Sequence, residues 1–519
     1  MSYHVVWFKR DFRLHDHAPL LEAAQRGSVL CLYVIEPDAW AQADAAAQHY
    51  AFIQESANAV DRALRKVGGQ LNIAVGNITE VLDQLHAAAP FASLQSHEET
   101  GNGWSYRRDQ AVAQWCRRHN VTWQEHQQFG VVRRLRHRDM WQSQWESFMA
   151  RTQVKSPTSI QFMPWPLGAP CVRVAPPAWP SPLTLGLNDT PPTRRQHGGR
   201  ERGLAILNQF LSTRSAQYRG GISSPLSAST ACSRLSTHLA YGTLSLREVV
   251  QATRARVNTL PMSALHHRRG LQAFISRLYW HCHFIQKLES EPDIEFHNMH
   301  RGYDDLREND WNALHFQALT QGRTGWPMVD ACVAMLRETG WLNFRMRAML
   351  VSVAAYPLWL HWREVGLWLA RQFLDYEPGI HWSQMQMQSG TTGMNTTRVY
   401  NPIKQAHDHD PKGVFVRRWL PAMRKIPDTW LFEPWRMPPE LQRRYGIEVG
   451  KDIPVPLVDL ETATRAAKQR LYARKRLPSV QAAKSKVVEK HASRKRSNTP
   501  PRNTTPQNTA KRHQLDLDF

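Results

Sequence analysis

Ser233, Arg234 and Ser236, in the stretch CSRLSTHLAYGTLS (232–245), set two hydroxyls and a guanidinium at the start of a helical segment. Those groups, with the free N–H groups of a helix start, are what proteins use to hold phosphates; the same residues also make an ordinary helix cap. A second stretch, TGWPMVDACVAMLRETGWLNFRMR (324–347), turns at Gly325 and opens a helix at Pro327, where the missing N–H costs nothing. Met328, Cys332, Met335 and Leu336 fall on one apolar face, Gly340 stops the helix, and the next one carries Arg345 and Arg347 on alternating sides. The stretch reads either as an ordinary helix pair or as one side of a pocket for a large anionic aromatic ligand. His281, Cys282 and His283 are neighbours on a helix and point in different directions, so they cannot share one ion, and no metal site is expected.

The elements that must position these residues follow from the hydrophobic pattern. Runs at 4–8, 29–35, 71–75, 92–97 and 121–126 read as buried strands, and 18–26, 46–67, 78–88 and 105–118 as helices between them. This alternation predicts a doubly wound parallel α/β domain over 1–132. There is no G-x-G-x-x-G after the first strand, so a dinucleotide site of that type is not supported. Instead the strand runs into FKRDFRLHDH, where Arg10, Asp11, Arg13 and Asp16 form a local charge network. Residues 133–199 read as an inter-domain linker, Pro-rich from Gln161 and draped over the surface. An all-α domain follows over 200–457. Residues 461–476 can form one basic helix, and 478–513, rich in Ser, Thr, Pro, Asn, Lys and Arg, are expected to be disordered.

The chain has 519 residues and 42% apolar content, enough for two or three cored domains. Its six cysteines are scattered without a C-x-x-C pair, which argues against disulfide frameworks and cysteine-held metals, and for a reducing cytoplasm. No apolar run is long enough to cross a membrane. The formal net charge is +22, and residues 461–519 contribute fifteen Lys/Arg against four Asp/Glu. Basic charge on both body and tail points to nucleic acid as the partner.

The wording of these segments resembles the photolyase/cryptochrome family. WFKRDFRLHD (7–16) is similar to that family's opening W-F-R-x-D-L-R-x-x-D, 232–245 to its phosphate-holding [TS]-S-R-L-S segment, and 324–347 to its T-G-[FYW]-P-x-[VI]-D-A … T-G-W … Arg-x-Arg core. The resemblance runs from residue 4 to about 435. It implies an N-terminal antenna domain, a helical domain holding FAD in a U shape, and blue-light electron transfer. By the same resemblance Tyr218, Ser233, Arg234, Leu235, Ser236 and Arg277 hold the FAD phosphates. Asp375 pairs with Arg347 beneath the ring; Glu377 and His381 complete the cofactor set, His381 replacing an Asn that faces the reactive flavin nitrogen. Trp362 matches the middle member of an electron relay, with Trp382 three residues before the usual flavin-proximal position, here Met385, and Trp311 the nearest surface member. A second antenna chromophore is allowed, and the arginines of WSYRRDQ (104–110) argue against folate.

The lesion contacts depart from the family pattern. Ala273 and Ser276 stand where cyclobutane-dimer photolyases have a glutamate and a tryptophan, and Phe344 takes the place of an Asn, with Asn343 beside it. Tyr279, Trp280, Asn343, Phe344 and Arg345 are the groups left to stack on and bond a flipped-out dinucleotide. At the C-terminus Gln514, Leu515, Leu517 and Phe519 match the Q-L-x-L-x-F peptide by which bacterial DNA-metabolism proteins dock on the sliding clamp. The expectation is a monomeric, cytoplasmic, nucleoid-associated enzyme that repairs UV-damaged DNA, cyclobutane dimers first. The rivals are a cryptochrome-like photoreceptor signalling through its tail, and a light-independent nucleic-acid-binding flavoprotein.

Overall fold

The structure is a computed structural model that describes residues 3–174 and 178–492. The hexapeptide 514–519 therefore lies outside the described residues. The first strand, β1 (Tyr3–Phe8), is buried along its whole length, as its unbroken apolar run requires of a strand covered on both faces. It pairs in parallel with β2 (Ser28–Ile35) on one side and β4 (Ser93–His97) on the other. With β3 (Leu71–Val75) and β5 (Thr122–His126) the sheet has the order β5-β4-β1-β2-β3, and a short β6 (Val172–Val174) is added antiparallel to β3. Helices α1 (Ala18–Arg26), α2 (Ala47–Arg65), α3 (Ile78–Ala88) and α4 (Gly103–Arg118) cover the two faces. The chain reverses its winding between β1 and β4, so their C-terminal ends open a crevice at the switch point.

The connection to the second domain is more structured than its composition suggests. Helix α5 (Trp141–Ala150) buries Trp141, Trp145, Phe148 and Met149 against the helical domain's core. Within the Pro-rich stretch, Trp179 is buried and stacks on Tyr33 at 5.7 Å, so this segment is pinned, not merely draped. The helical domain is built around α6 (Leu265–Ser290), α7 (Pro327–Thr339), α8 (Phe344–Ala355), α9 (Trp362–Gln372) and α10 (Pro378–Ser389).

The TGWPMVD turn has a local physical cause. The Asp330 carboxylate accepts hydrogen bonds from the N–H groups of Thr324 and Gly325 and from the Thr324 hydroxyl, closing the turn onto the first helical turn of α7. Gly325 has φ +83°, and a Cβ there would lie 2.3 Å from the Val455 backbone, so only glycine fits. Gly340 caps α7 in the left-handed region at φ +66°.

One correction concerns the C-terminal region. Helix α11 (Leu460–Lys475) forms as the pattern predicts, but residues 478–491, expected to be disordered, form a further helix, α12 (Pro478–His491). Its anchors are few: Val480 is buried and its carbonyl meets His300 Nε2 at 3.0 Å, and His491 is buried with Nε2 2.7 Å from Glu291. Two anchors at opposite ends of a polar helix leave little periodicity to read. Among the described residues no helix is long and apolar enough to cross a membrane.

Candidate functional site

A cavity of about 310 Å³ lies among α6, α8, α10 and the 218–236 segment. Ser233, Arg234 and Ser236 line it from the segment that leads into the short helix Ser236–Ala240, joined by Tyr218 and by Arg277 of α6. Arg234 takes a left-handed backbone, φ +64°, which turns its guanidinium over the Trp341 ring at 3.8 Å. Burial lowers its pKa to about 10, so the cation is held with little water around it.

Arg347 projects from α8 to Asp375, N–O 2.9 Å, and its guanidinium lies 4.1 Å from the centre of the Phe373 ring. Burial alone would raise the Asp375 carboxyl; the charge of Arg347, hydrogen bonds from Arg347 and Ser236, and the charge of Arg234 hold it below the usual carboxylate range instead. Glu377 also lines the cavity, and burial pushes its pKa up to about 7 against the opposing charge of Arg10, 3.6 Å away. His381 lines it from α10, with Nε2 2.9 Å from the Gly366 carbonyl. Trp280, Phe284 and Phe344 supply aromatic surface, and Trp280 and Phe284 stack on each other at 5.7 Å.

Not every expected residue reaches this cavity. Leu235 is fully buried in the helical core, so only its backbone is near the phosphate-type donors. Tyr279 points away, packed on Trp141 at 5.0 Å and Trp145 at 5.3 Å. On α6 the cavity face is Arg277, Trp280, His281 and Phe284, and Tyr279 falls outside that stripe. Arg345 alternates with Arg347 and does not line the cavity. Asn343 lines it, but its amide N–H groups are given to the carbonyls of Ile222 and Ser223 at 3.0 and 2.9 Å, which leaves only the side-chain oxygen for a ligand. Trp382 is buried behind the wall, where Met385 takes the lining position. Its ring meets Trp362 at 5.9 Å and His381 at 4.9 Å. Trp362 donates to Asn298 at 2.8 Å. Trp311 is 38% exposed and packs on Phe316.

Sequence reasoning missed several contributors. Gln384 and Gln388 line the cavity one and two turns beyond His381 on α10, and counting along that face would have found them. Gly366 leaves room for Trp382, since a Cβ there would meet the indole at 2.6 Å.

The charged loop after β1 also does more than a local network would. Arg10 donates to the carbonyls of Ala240 and Tyr376 at 2.9 and 2.8 Å, and Arg13 to that of Gly242 at 2.9 Å. Asp16 pairs with Arg247 of the helical domain. The loop is thus one of the contacts that clamp the domains together, beside those of Gln48, His49 and Asp44. Asp11 lies between His17 and His97, at 3.0 and 2.7 Å. Nδ1 of His17 accepts the N–H of Leu20 at 3.1 Å, which puts that ring's proton on Nε2, facing Asp11. A metal on Nε2 would require the proton on Nδ1, so this trio suits hydrogen bonding and not an ion.

A second cavity opens at the switch point of the sheet, lined by Lys9, Arg10, Glu36, Asp44, Glu99, Trp104 and Arg108 among others. Arg108 lies between Trp7 and Trp104, 4.8 and 5.4 Å from their ring centres, and its guanidinium pairs with Glu36, Glu99 and Asp109.

Comparisons with known proteins agree with this geometry. Residues 4–139 match the DNA photolyase family model, and residues 274–473 match the FAD binding domain of DNA photolyase. Cryptochrome DASH of Gloeobacter violaceus is 28% identical over 90% of this chain and 95% of its own length. Deoxyribodipyrimidine photo-lyase of Escherichia coli is 26% identical over 89% and 97%. The crystal structure of a class III photolyase from Agrobacterium tumefaciens superposes with a TM-score of 0.76 at 23% identity, covering 92% of this chain and 98% of that one. The donor set of the larger cavity fits FAD: hydroxyls and guanidinia for a diphosphate, aromatic and apolar walls for the rings, and a carboxylate–guanidinium pair between them. By its two family models, its relatives and its fold, the chain belongs to the photolyase/cryptochrome family and carries that family's FAD-binding domain.

Proposed function

We propose that this protein repairs UV-induced pyrimidine dimers in DNA under blue light, with the cyclobutane dimer as its lesion. The observation that carries the reading is a single cavity that combines phosphate-type donors with an aromatic wall of Trp280, Phe284 and Phe344. FAD, when bound and reduced, supplies a light-excited electron donor. Ser233, Arg234, Ser236, Tyr218 and Arg277 hold its diphosphate, and the Arg347–Asp375 pair keeps a balanced charge beside its ring. Trp280 and Phe344 stack on the extruded bases, and the Asn343 side-chain oxygen accepts from a base N–H. Trp382 and Trp362, in ring contact, carry electrons toward the cavity when the cofactor must be reduced.

Arg345 and the basic body meet the DNA phosphates, which makes affinity fall with salt. The sheet-edge cavity is the place for a second, antenna chromophore. Gln514, Leu515, Leu517 and Phe519 tether the enzyme to the sliding clamp, consistent with a monomer acting in the cytoplasm at the nucleoid. The test is an oligonucleotide carrying one defined cyclobutane or (6-4) lesion, mixed with FAD-reduced protein in blue light and in darkness. Reversal of the cyclobutane dimer in light alone supports the reading. No light-dependent reversal of either lesion, with reduced FAD bound, overturns it in favour of a photoreceptor.

A further inference from the structure

Helix α11 has two faces of different character. Its inner face buries Ala467 and Leu471 against Tyr303, Tyr356 and Val480. The cations beside that face are engaged: Arg470 pairs with Asp310 at 2.8 Å and lies 5.1 Å from the Trp359 ring, and Arg474 donates to the Asp304 carbonyl. On the outer side Lys468, Tyr472, Lys475 and the capping residue Arg476 are spaced i, i+4, i+7 and i+8, which is one stripe of a helix. Arg465, a turn earlier on the same side, is paired with Glu461 at 2.7 Å. Lys468, Lys475 and Arg476 meet no carboxylate among the described residues. Tyr472 is 44% exposed, and its ring touches no other ring among them.

Arg465 and Lys468, three residues apart, repel each other, so the fold gains nothing from this arrangement. What the stripe offers is an exposed ring between cations, over about 16 Å from Arg465 to Arg476. A single nucleic-acid strand answers both features, because its phosphates take the cations and an unpaired base lies on the tyrosine. A duplex keeps its bases inside the stack. A membrane surface calls for several large apolar side chains on one face, and in this stripe Tyr472 is the only ring. The charge continues past the helix: Lys484 and Lys486 of α12 are exposed and meet no carboxylate among the described residues. Residues 493–519 add six Lys/Arg against two Asp/Glu. None of the stripe residues lines the helical cavity, and Lys475, Arg476 and α12 lie beyond the stretch matched by the FAD-domain model. We propose that this face of α11 is a second nucleic-acid site, which holds single-stranded DNA by stacking a base on Tyr472 and meeting phosphates with Lys468, Lys475 and Arg476. The choice of DNA over RNA rests on the proposed repair function; the surface itself makes no use of the cavity.

The test uses the FAD-loaded full chain and an undamaged, labelled oligothymidylate, so that lesion reversal plays no part in it. Affinity is read by fluorescence anisotropy across a salt series, for the single strand, its duplex and the matching oligouridylate. Replacing Lys468, Lys475 and Arg476 together by Ala is expected to flatten the slope of log affinity against log salt by about two, roughly 0.7 per phosphate of a single strand. Tyr472→Ala is expected to weaken single-strand binding about fivefold or more, the loss of one stacked base, with the slope and the duplex affinity unchanged, and Tyr472→Trp to keep wild-type affinity. Hydrogen exchange of the wild type is expected to slow over 465–476 when oligothymidylate is added. Wild-type affinity and slope in both Ala variants overturn the proposal. So does unchanged exchange in α11, which decides alone if a variant loses FAD. Tighter binding of oligouridylate overturns DNA as the occupant. Phosphatidylserine vesicles that bind the wild type and not the triple variant, with oligothymidylate affinity unaltered, overturn it in favour of a membrane. Stripe-dependent binding of oligothymidylate by a protein that reverses no dimer would support this site while refuting the repair reading.

Discussion

The helical cavity and the sheet-edge cavity are each lined by three cationic side chains and several aromatic rings, yet they treat those cations differently. In the sheet-edge cavity Lys9, Arg10 and Arg108 face Glu36, Asp44 and Glu99, and Arg108 is paired on several sides. In the helical cavity Arg234, Arg277 and Arg347 face Asp375 and Glu377, and Glu377 is already turned toward Arg10. Among the described residues, Asp375 is the carboxylate held ionised by the charges of both Arg347 and Arg234. The lesson is that residue type does not announce a ligand's charge; the local balance does. In the helical cavity two guanidinia, Arg234 and Arg347, bear on the single Asp375 carboxylate. In the sheet-edge cavity Arg108 itself stands between the Trp7 and Trp104 rings and is held by Glu36, Glu99 and Asp109.

The sharpest way to break this comparison is to remove the pivotal carboxylate. Asp375→Ala leaves Arg347 and Arg234 without their buried partner, and is expected to destabilise the chain by about 3–5 kcal/mol and to abolish FAD retention. Urea unfolding and the FAD-to-protein absorbance ratio read both. A variant with wild-type FAD content would show that the cation balance does not matter.

Arg10→Ala comes next, because it removes one part of the contact between the domains while those of Arg13 and Asp16 remain. The loss of its bonds to Ala240 and Tyr376 and its pairing with Glu377 is expected to cost roughly 2–3 kcal/mol. Urea unfolding should show this as a lowered midpoint, and an unchanged midpoint would remove Arg10 from the contact between the domains.

A smaller effect concerns acid. Burial works against ionising Asp16, but hydrogen bonds from Arg247, Ser245 and the Val154 backbone lower its pKa to about 2. A depressed carboxyl stabilises the fold above the ordinary value near 4 and loses that contribution as pH falls toward 2. Thermal melts of the wild type should therefore drop over that window by about 2 kcal/mol more than those of Asp16→Asn. Parallel curves would remove Asp16 from the clamp.

Much of the scaffold was legible because its signals are periodic and local. The bounds 18–26, 71–75 and 78–88 match the structure to the residue, since each is an apolar repeat closed by a glycine, a cap or a turn. Helix α12 was missed because only Val480 and His491 bury themselves, too few to make a stripe in a Lys- and Ser-rich sequence. The inter-domain role of Arg10 was invisible for a different reason. Its partners lie some 230 and 366 residues further along, and no local pattern reports them. Tyr279 was an error of direction: resemblance marked the helix, while the 277–280–281–284 stripe decides which side chains reach the cavity. The smallest effect follows from that correction. Tyr279→Phe should leave FAD content and lesion-DNA affinity unchanged, measured by absorbance and fluorescence anisotropy, whereas Trp280→Ala should weaken DNA binding by about 1–3 kcal/mol.

In the function proposed above, the helical cavity brings reduced FAD and a pyrimidine dimer together for electron transfer. This is tested most directly by the fluorescence of reduced FAD in the purified protein as oligonucleotide is added. Strong quenching is expected from an oligonucleotide with one cyclobutane dimer and none from the same sequence undamaged. Equal emission with both, at concentrations where both bind, would contradict it.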